Sequence, residues 1–292
     1  MRLCRFEQDG NVRVGVQRGD KGDIVDITAV DNTIPNDMLA ILRGGADMMT
    51  KVKSASESTS CIVPAASAKI LAPITGSEKV LCIGMNYVDH CTEQNLPVPE
   101  EPLIFSKFAS AISNPGDDIV KAPEVKNLDF EVELVIVIGK DGRRISEDKA
   151  MEHVAGYTVA HDVSARDWQL QKNGGQWLVG KAFDGYAPIG PAIVTTDELG
   201  NPHNLGIRCR LNGETVQDSN TNQLVFRTET IIAWASKFFT LRAGDIILTG
   251  TPPGVGCFRK PPLWLKDGDV VDCEIDGIGC ITNTVRDEVI PA

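Results

Sequence analysis

FEVELVIVIG, residues 130–139, is the stretch that decides the fold. It alternates apolar and acidic residues as far as Leu134, then turns wholly apolar, and an Asp141-Gly142 turn follows. Alternation with period two marks a strand, and an unbroken apolar run marks a strand buried on both faces. On such a strand Glu131 and Glu133 point to the same side, in line with Val135 and Val137. Burying two like charges together is costly unless a cation or a proton compensates. The alternative at this point is a solvent-facing edge carrying two harmless glutamates.

Reading outward, KVLCIG (79–84) is a short buried-strand run and GYTVAHD (156–162) a further strand candidate. The last third alternates strands with turns: GDIILTG (244–250), the Asp267-Gly268 turn, then VVDCEID (270–276). Toward the N-terminus, residues 1–30 read as short strands with turns at Asp9-Gly10 and Lys21-Gly22. Asn36 or Asp37 caps a helix through Leu42 that Gly44-Gly45 stops, and Ser146 caps another with Glu147 and Asp148 in its first turn. KSASESTS (53–60) reads as a connector, and a boundary near residue 75 divides a small N-terminal α+β region (1–75) from a catalytic domain (76–292). This is a β-rich α+β pattern, without the regular β–α alternation of a doubly wound sheet or a TIM barrel.

Composition narrows the function. The 292 residues are 42% hydrophobic and 24% charged, which suits an ordinary globular chain. A net charge of −11 repels phosphate backbones and anionic lipid, so nucleic-acid and membrane-surface binding are not expected. No apolar run is long enough to span a bilayer. None of the eight cysteines forms a C-x-x-C pair, which argues for buried free thiols in a reducing compartment. The opening residues MRLCRFEQDG have neither a secretory apolar core nor the character of a transit helix.

Five segments could carry chemistry. Glu131 and Glu133 come first. In AHDVSARDWQ (160–169), Asp162 ends an apolar strand, and Arg166 and Gln169 share a face if a helix starts near Ser164. Arg offers a fork to a carboxylate and Gln both a donor and an acceptor, although a capped helix with a surface ion pair reads equally well. Three carboxylates without a Cys/His pattern favour a hard cation, Mg²⁺ or Mn²⁺, over zinc. In GMNYVDHCTEQN (84–95), His90 and Glu93 meet on one helical turn, as an oriented base or as a surface contact; NLPVPEEP (95–102) beyond them reads as a flap. Lys181 in LVGKAFD is either a desolvated cation facing an anion or a snorkelling surface lysine. The GDIILTGTPPGVG turn lacks phosphate-loop spacing but can present amides and the Thr251 hydroxyl to a ligand.

Taken together, GMNYVDHCTEQN, FEVELVIVIGK, GYTVAHDVSARDWQ, GKAFD and ILTGTPPGVG, in that order, resemble the fumarylacetoacetate hydrolase superfamily over residues 75–288. The resemblance implies a mixed β-sandwich roll, a homodimer and one divalent ion per subunit, Mg²⁺ with Mn²⁺ or Ca²⁺ as alternatives. It makes Glu131, Glu133 and Asp162 the metal carboxylates, His90 and Glu93 a catalytic dyad on a lid helix, and Lys181 an active-site lysine. Arg166, Gln169 and Thr251 fall on substrate-contacting positions. The run AFDGYAP (182–188) departs from the usual pattern there.

The activity implied is that of a metal-dependent enzyme acting on small-molecule 2-oxo acids through a metal-bound enolate. EPLIFSKFASAI, VAHDVSARDWQ and TGTPPGVGCFRKPP look closest to a vertebrate-type branch associated with oxaloacetate keto–enol tautomerisation, which makes that the leading expectation. Hydrolysis of acylpyruvate-type C–C bonds and oxaloacetate decarboxylation are the alternatives, and a non-catalytic 2-oxo-acid binder is the rival of another class. The mitochondrial matrix is the compartment the resemblance implies, with the cytoplasm otherwise.

Overall fold

The computed structural model describes residues 1–290. The deciding stretch forms the strand Val132–Ile138, buried along its whole length. It runs antiparallel to Val154–His161 on one side and to Ile246–Leu248 on the other. These three strands are the middle of a twelve-stranded sheet. Beyond Ile246–Leu248 lie Val80–Gly84, in parallel, and then Leu103–Lys107 at the edge. In the other direction come Ala187–Thr195, Arg2–Gln8, Asn11–Gln17, Ile24–Asp26 and Ile62–Val63. The N-terminal strands therefore extend the same sheet: Arg2 pairs with Val194 and Leu3 with Ile193. Asp9 and Gly10 both have positive φ, which suits the tight hairpin between the first two strands.

Alternation along Val132–Ile138 sends its side chains into two cores. Val132, Leu134 and Ile136 meet Ile207, Cys209, Val271 and Cys273 of a second, five-stranded sheet, together with Ile231, Ile232 and Ala235 of the helix Thr228–Phe238. Val135 and Val137 face the opposite way, against Val80, Cys82, Ile246, Leu248 and the N-terminal Val14, Val16, Ile41 and Val52. Each such side chain contributes roughly 1.5–3 kcal/mol when fully buried. The result is the expected β-rich α+β architecture. Glu131 and Glu133 sit on the Val135 side, at the end of the strand, where the second core opens into a cavity.

Local expectations fare unevenly. Asp37 caps the helix Met38–Arg43 by accepting from the Ala40 amide at 2.9 Å. The supposed connector at 53–60 is a helix for its first half, because Gly45–Ser56 runs on past Gly44. Val52 and Ala55 are buried on one side of that helix, so apolar spacing outweighs the small polar composition. No helix starts at Ser164. Ser164–Ala165 is a short strand paired with Leu128–Asp129, and the helical turn Asp167–Gln171 is a π-turn. All eight cysteines are free; Cys61 is exposed and Cys257 and Cys280 are half-buried, unlike the buried thiols expected.

Candidate active site and metal centre

Strand geometry assembles the acidic trio. Glu133 lies opposite Ala160, and the Asp162 amide donates to the Glu131 carbonyl at 2.8 Å, so Asp162 joins Glu131 and Glu133 on one face. One carboxylate oxygen from each of the three lies within 4.8 Å of the others, and all three residues are buried. Among the described residues this is the one group of acidic, His or Cys side chains that could hold a metal ion. His161 points to the opposite face, where burial, with the Lys107 charge adding to it, pushes its imidazole down to about 3. It stays neutral and takes no part in the cluster.

Cations interleave the carboxylates. Lys181 Nζ donates to Glu131 Oε2 at 2.6 Å and to Asp162 Oδ2 at 2.9 Å. Arg166 donates through Nη2 to Glu131 Oε1 at 2.5 Å, through Nε to Asp129 Oδ2 at 2.8 Å, and through Nη1 to Gln169 Oε1 at 2.9 Å. Lys107 Nζ lies 2.7 Å from Asp162 Oδ1. Glu133 has no ion pair and instead accepts the Gly250 amide at 2.7 Å. Burial opposes ionisation of Glu131, but Arg166 and Lys181 outweigh it and hold its carboxyl below the usual range. For Glu133, burial and the charges of Asp162 and Glu131 push the carboxyl well above that range. Burial likewise opposes the Lys181 ammonium, and Asp162 and Glu131 overcome it, so Lys181 stays charged.

His90 and Glu93 lie on the helix Val88–Glu93. His90 Nδ1 is 2.9 Å from Glu93 Oε2, and Gln94 donates its amide to Nε2 at 2.9 Å. With a carboxylate at Nδ1 and an amide donor at Nε2, the ring proton sits on Nδ1 and the Nε2 lone pair is held by Gln94. The other Glu93 oxygen accepts the Gly254 amide at 2.9 Å, and Asp89 accepts the Ser219 hydroxyl at 2.5 Å. These bonds clamp the helix onto the loop after Leu248 and onto the second sheet.

A cavity of about 260 Å³ receives these groups. His90, Glu131, Glu133, Arg166, Gln169, Lys181 and Thr251 line it; Glu93 and Asp162 stand directly behind, bonded to His90 and Lys181. All nine residues singled out from the sequence thus converge. Arg166 and Lys181 are buried rather than on the surface. The Thr251 hydroxyl is already engaged, donating to the Val132 carbonyl at 3.0 Å and accepting from Gln217 at 2.8 Å. Apart from Gln94, the remaining wall is largely apolar and includes Leu96, Leu103, Phe105, Trp177 and Phe258.

Three residues in contact with this cluster escaped the sequence reading. Asp129 accepts from Arg166 and from the Gly256 and Cys257 amides. Gln217 anchors Thr251, and Lys107 contacts Asp162. Lys107 carried one usable signal, a lone charge ending the apolar strand LIFSK; Asp129 carried another, a third acid two residues before Glu131. Gln217 carried none.

Known proteins resemble the chain in sequence and in fold. The family model described as Fumarylacetoacetate (FAA) hydrolase C-terminal matches residues 79–286. The chain is 57% identical to a Xenopus laevis protein named oxaloacetate tautomerase fahd2, mitochondrial, over 98% of this chain and 90% of that one. It is 53% identical to the human oxaloacetate tautomerase FAHD2A, mitochondrial, over 98% and 91%. Among solved structures, the fumarylacetoacetate hydrolase from Exiguobacterium antarcticum superposes with a TM-score of 0.83 at 36% identity, covering 99% of this chain and 100% of that one. Maleylpyruvate hydrolase from Sphingobium sp. SYK-6, solved with manganese(II) and pyruvate, superposes with a TM-score of 0.81 at 30% identity and the same coverage.

Proposed function

The chain belongs to the fumarylacetoacetate hydrolase family, and from that premise we propose that it is a divalent-metal-dependent oxaloacetate keto–enol tautomerase. The observation that carries the reading is the enclosure of the acidic trio, Lys181 and the basic face of His90 around one small cavity with apolar walls. The names of the Xenopus and human relatives select oxaloacetate among 2-oxo acids.

The residues fit a hard cation. Glu133 is buried without a cationic partner and holds its proton unusually tightly, as expected of an oxygen donor awaiting positive charge. Glu131, Glu133 and Asp162 are the residues that would hold Mg²⁺, with Mn²⁺ as the alternative supported by the ion in the maleylpyruvate hydrolase structure. Such an ion supplies Lewis-acid stabilisation of negative charge developing on a substrate oxygen. The protein's own groups do the rest. Arg166 and Gln169 present donors at the cavity wall for a carboxylate, and Lys181 adds a fixed ammonium. Once Gln94 releases it, His90 Nε2 takes the C3 proton and returns it at the enol oxygen, while Glu93 holds Nδ1–H and so fixes the tautomer. Leu103, Phe105, Trp177 and Phe258 limit water, which suits proton transfer more than hydrolysis.

The test follows decay of enol-oxaloacetate with and without EDTA, beside cleavage of acetylpyruvate. Acceleration of decay that EDTA removes and Mg²⁺ restores supports the tautomerase. Activity on acetylpyruvate alone would assign the chain to the C–C hydrolases instead.

The mitochondrial location printed for the relatives is carried to this chain as part of the same reading. So is a homodimer. Phe108 and Phe239 stand exposed along one groove of about 730 Å³ beside the edge strand Leu103–Lys107, which is an apolar face for a second copy to cover. Sedimentation at micromolar concentration tests it. No helix among the described residues is long and apolar enough to cross a membrane.

A further inference from the structure

Lys107 is the buried cation of this site that lines none of the substrate cavity. Its side chain is 0% exposed. The ammonium donates to three main-chain carbonyls, those of Val163 at 3.1 Å, Lys181 at 2.5 Å and Tyr186 at 2.7 Å. Its fourth neighbour is Asp162 Oδ1 at 2.7 Å. A buried lysine needs no carboxylate for satisfaction once three carbonyls accept its three protons. Its placement against Asp162 therefore has a consequence beyond packing.

We infer that Lys107 is a positioning residue and the counter-charge of the metal centre. Its charge lies against Asp162 Oδ1, which accepts no hydrogen bond, while Asp162 Oδ2 accepts from Lys181. It also sets the charge of the cluster. With Glu133 ionised, as it would be beside a bound cation, Asp129, Glu131, Glu133 and Asp162 against Lys107, Arg166 and Lys181 leave a formal −1. A dication turns that to +1, a sign that welcomes an anionic dicarboxylate. Without Lys107 the loaded site would be neutral.

This rests on the reading of the site as a metal-dependent 2-oxo-acid enzyme, and it predicts effects of opposite sign. Lys107→Met keeps the length of the side chain but removes the charge. Metal-free Lys107→Met should bind Mn²⁺ about threefold or more tightly than the parent, because one repelling charge has gone from beside the ion. The KM for oxaloacetate at saturating Mg²⁺ should rise about tenfold or more, because the dianion loses its attraction. A merely structural role moves both in the unfavourable direction. Mn²⁺ binding is read by electron paramagnetic resonance on protein without substrate, and the fold is checked by circular dichroism. Weaker or unchanged Mn²⁺ affinity overturns the counter-charge. Lys107→Gln, which retains polar contact with the carbonyls, repeats the measurement; failure of both variants to fold would make Lys107 a structural residue and also overturn it. If the parent protein shows no oxaloacetate tautomerisation, the proposed function falls, while the Mn²⁺ arm still decides Lys107.

Discussion

Asp129 Oδ2 holds Arg166 Nε at 2.8 Å, and the same carboxylate accepts the amides of Gly256 at 2.7 Å and Cys257 at 3.1 Å. One buried acid thus joins Arg166, at the head of the π-turn that bears Gln169, to the Gly/Pro-rich loop after Leu248. Asp129→Asn leaves the Arg166 charge with Glu131 alone. Breaking a buried pair from one side should destabilise by about 3 kcal/mol, read from urea unfolding, and raise KM more than it lowers kcat. A variant as stable as the parent would remove Asp129 from this framework.

Glu131→Gln and Asp162→Asn each remove one charged oxygen donor from the trio. Bound Mg²⁺, measured by elemental analysis after dialysis, should fall well below one per chain. Turnover should fall by about 100-fold or more. Normal turnover in either variant would refute the assignment of these residues as ligands.

Glu133 gives a pH signature. In the metal-free protein burial and its acidic neighbours raise its pKa, so the folded state holds a proton that the unfolded chain releases near the ordinary glutamate value of about 4.3. The stability this lends is fully present below that value and is lost as pH rises toward the folded pKa. A dication replaces the proton. The gain in melting temperature on adding Mg²⁺ should therefore increase as pH rises, and a hundredfold excess over Kd corresponds to about 2.7 kcal/mol. Glu133→Gln should raise the melting temperature of the metal-free protein at pH 8 and abolish the Mg²⁺ effect. A metal effect that shrinks with rising pH would contradict the proposal.

His90→Ala should separate chemistry from binding. Loss of a general base lowers kcat by about 100-fold to 10,000-fold. Mg²⁺ affinity should hold, because His90 touches none of the trio. Comparable losses of metal and rate would mean that the helix Val88–Glu93 serves to shape the centre instead.

Much of this was legible because period-two alternation is a strong signal. FEVELVIVIG predicted both the central strand and the shared face of Glu131 and Glu133. The i, i+3 spacing of His90 and Glu93 likewise gave their contact at 2.9 Å. Long-range pairing was not legible. Lys107 reaches Asp162 from 55 residues away, and Gln217 reaches Thr251 across 34, through strand neighbours that no local pattern encodes. Ser164 misled for a different reason: a residue suited to capping a helix lies in a strand that pairs with Leu128–Asp129, so tertiary pairing outweighed local propensity.

The stitching of Arg2–Gln8 to Ala187–Thr195 constrains how the molecule can be pared down. A chain cut to residues 76–292 would lay bare the main-chain hydrogen-bonding groups of Ile193 and Val194, an unguarded sticky rim in the midst of hydrophobic neighbours. Such a fragment invites clumping, so the first strands serve as a seam binding for the half that bears the chemistry.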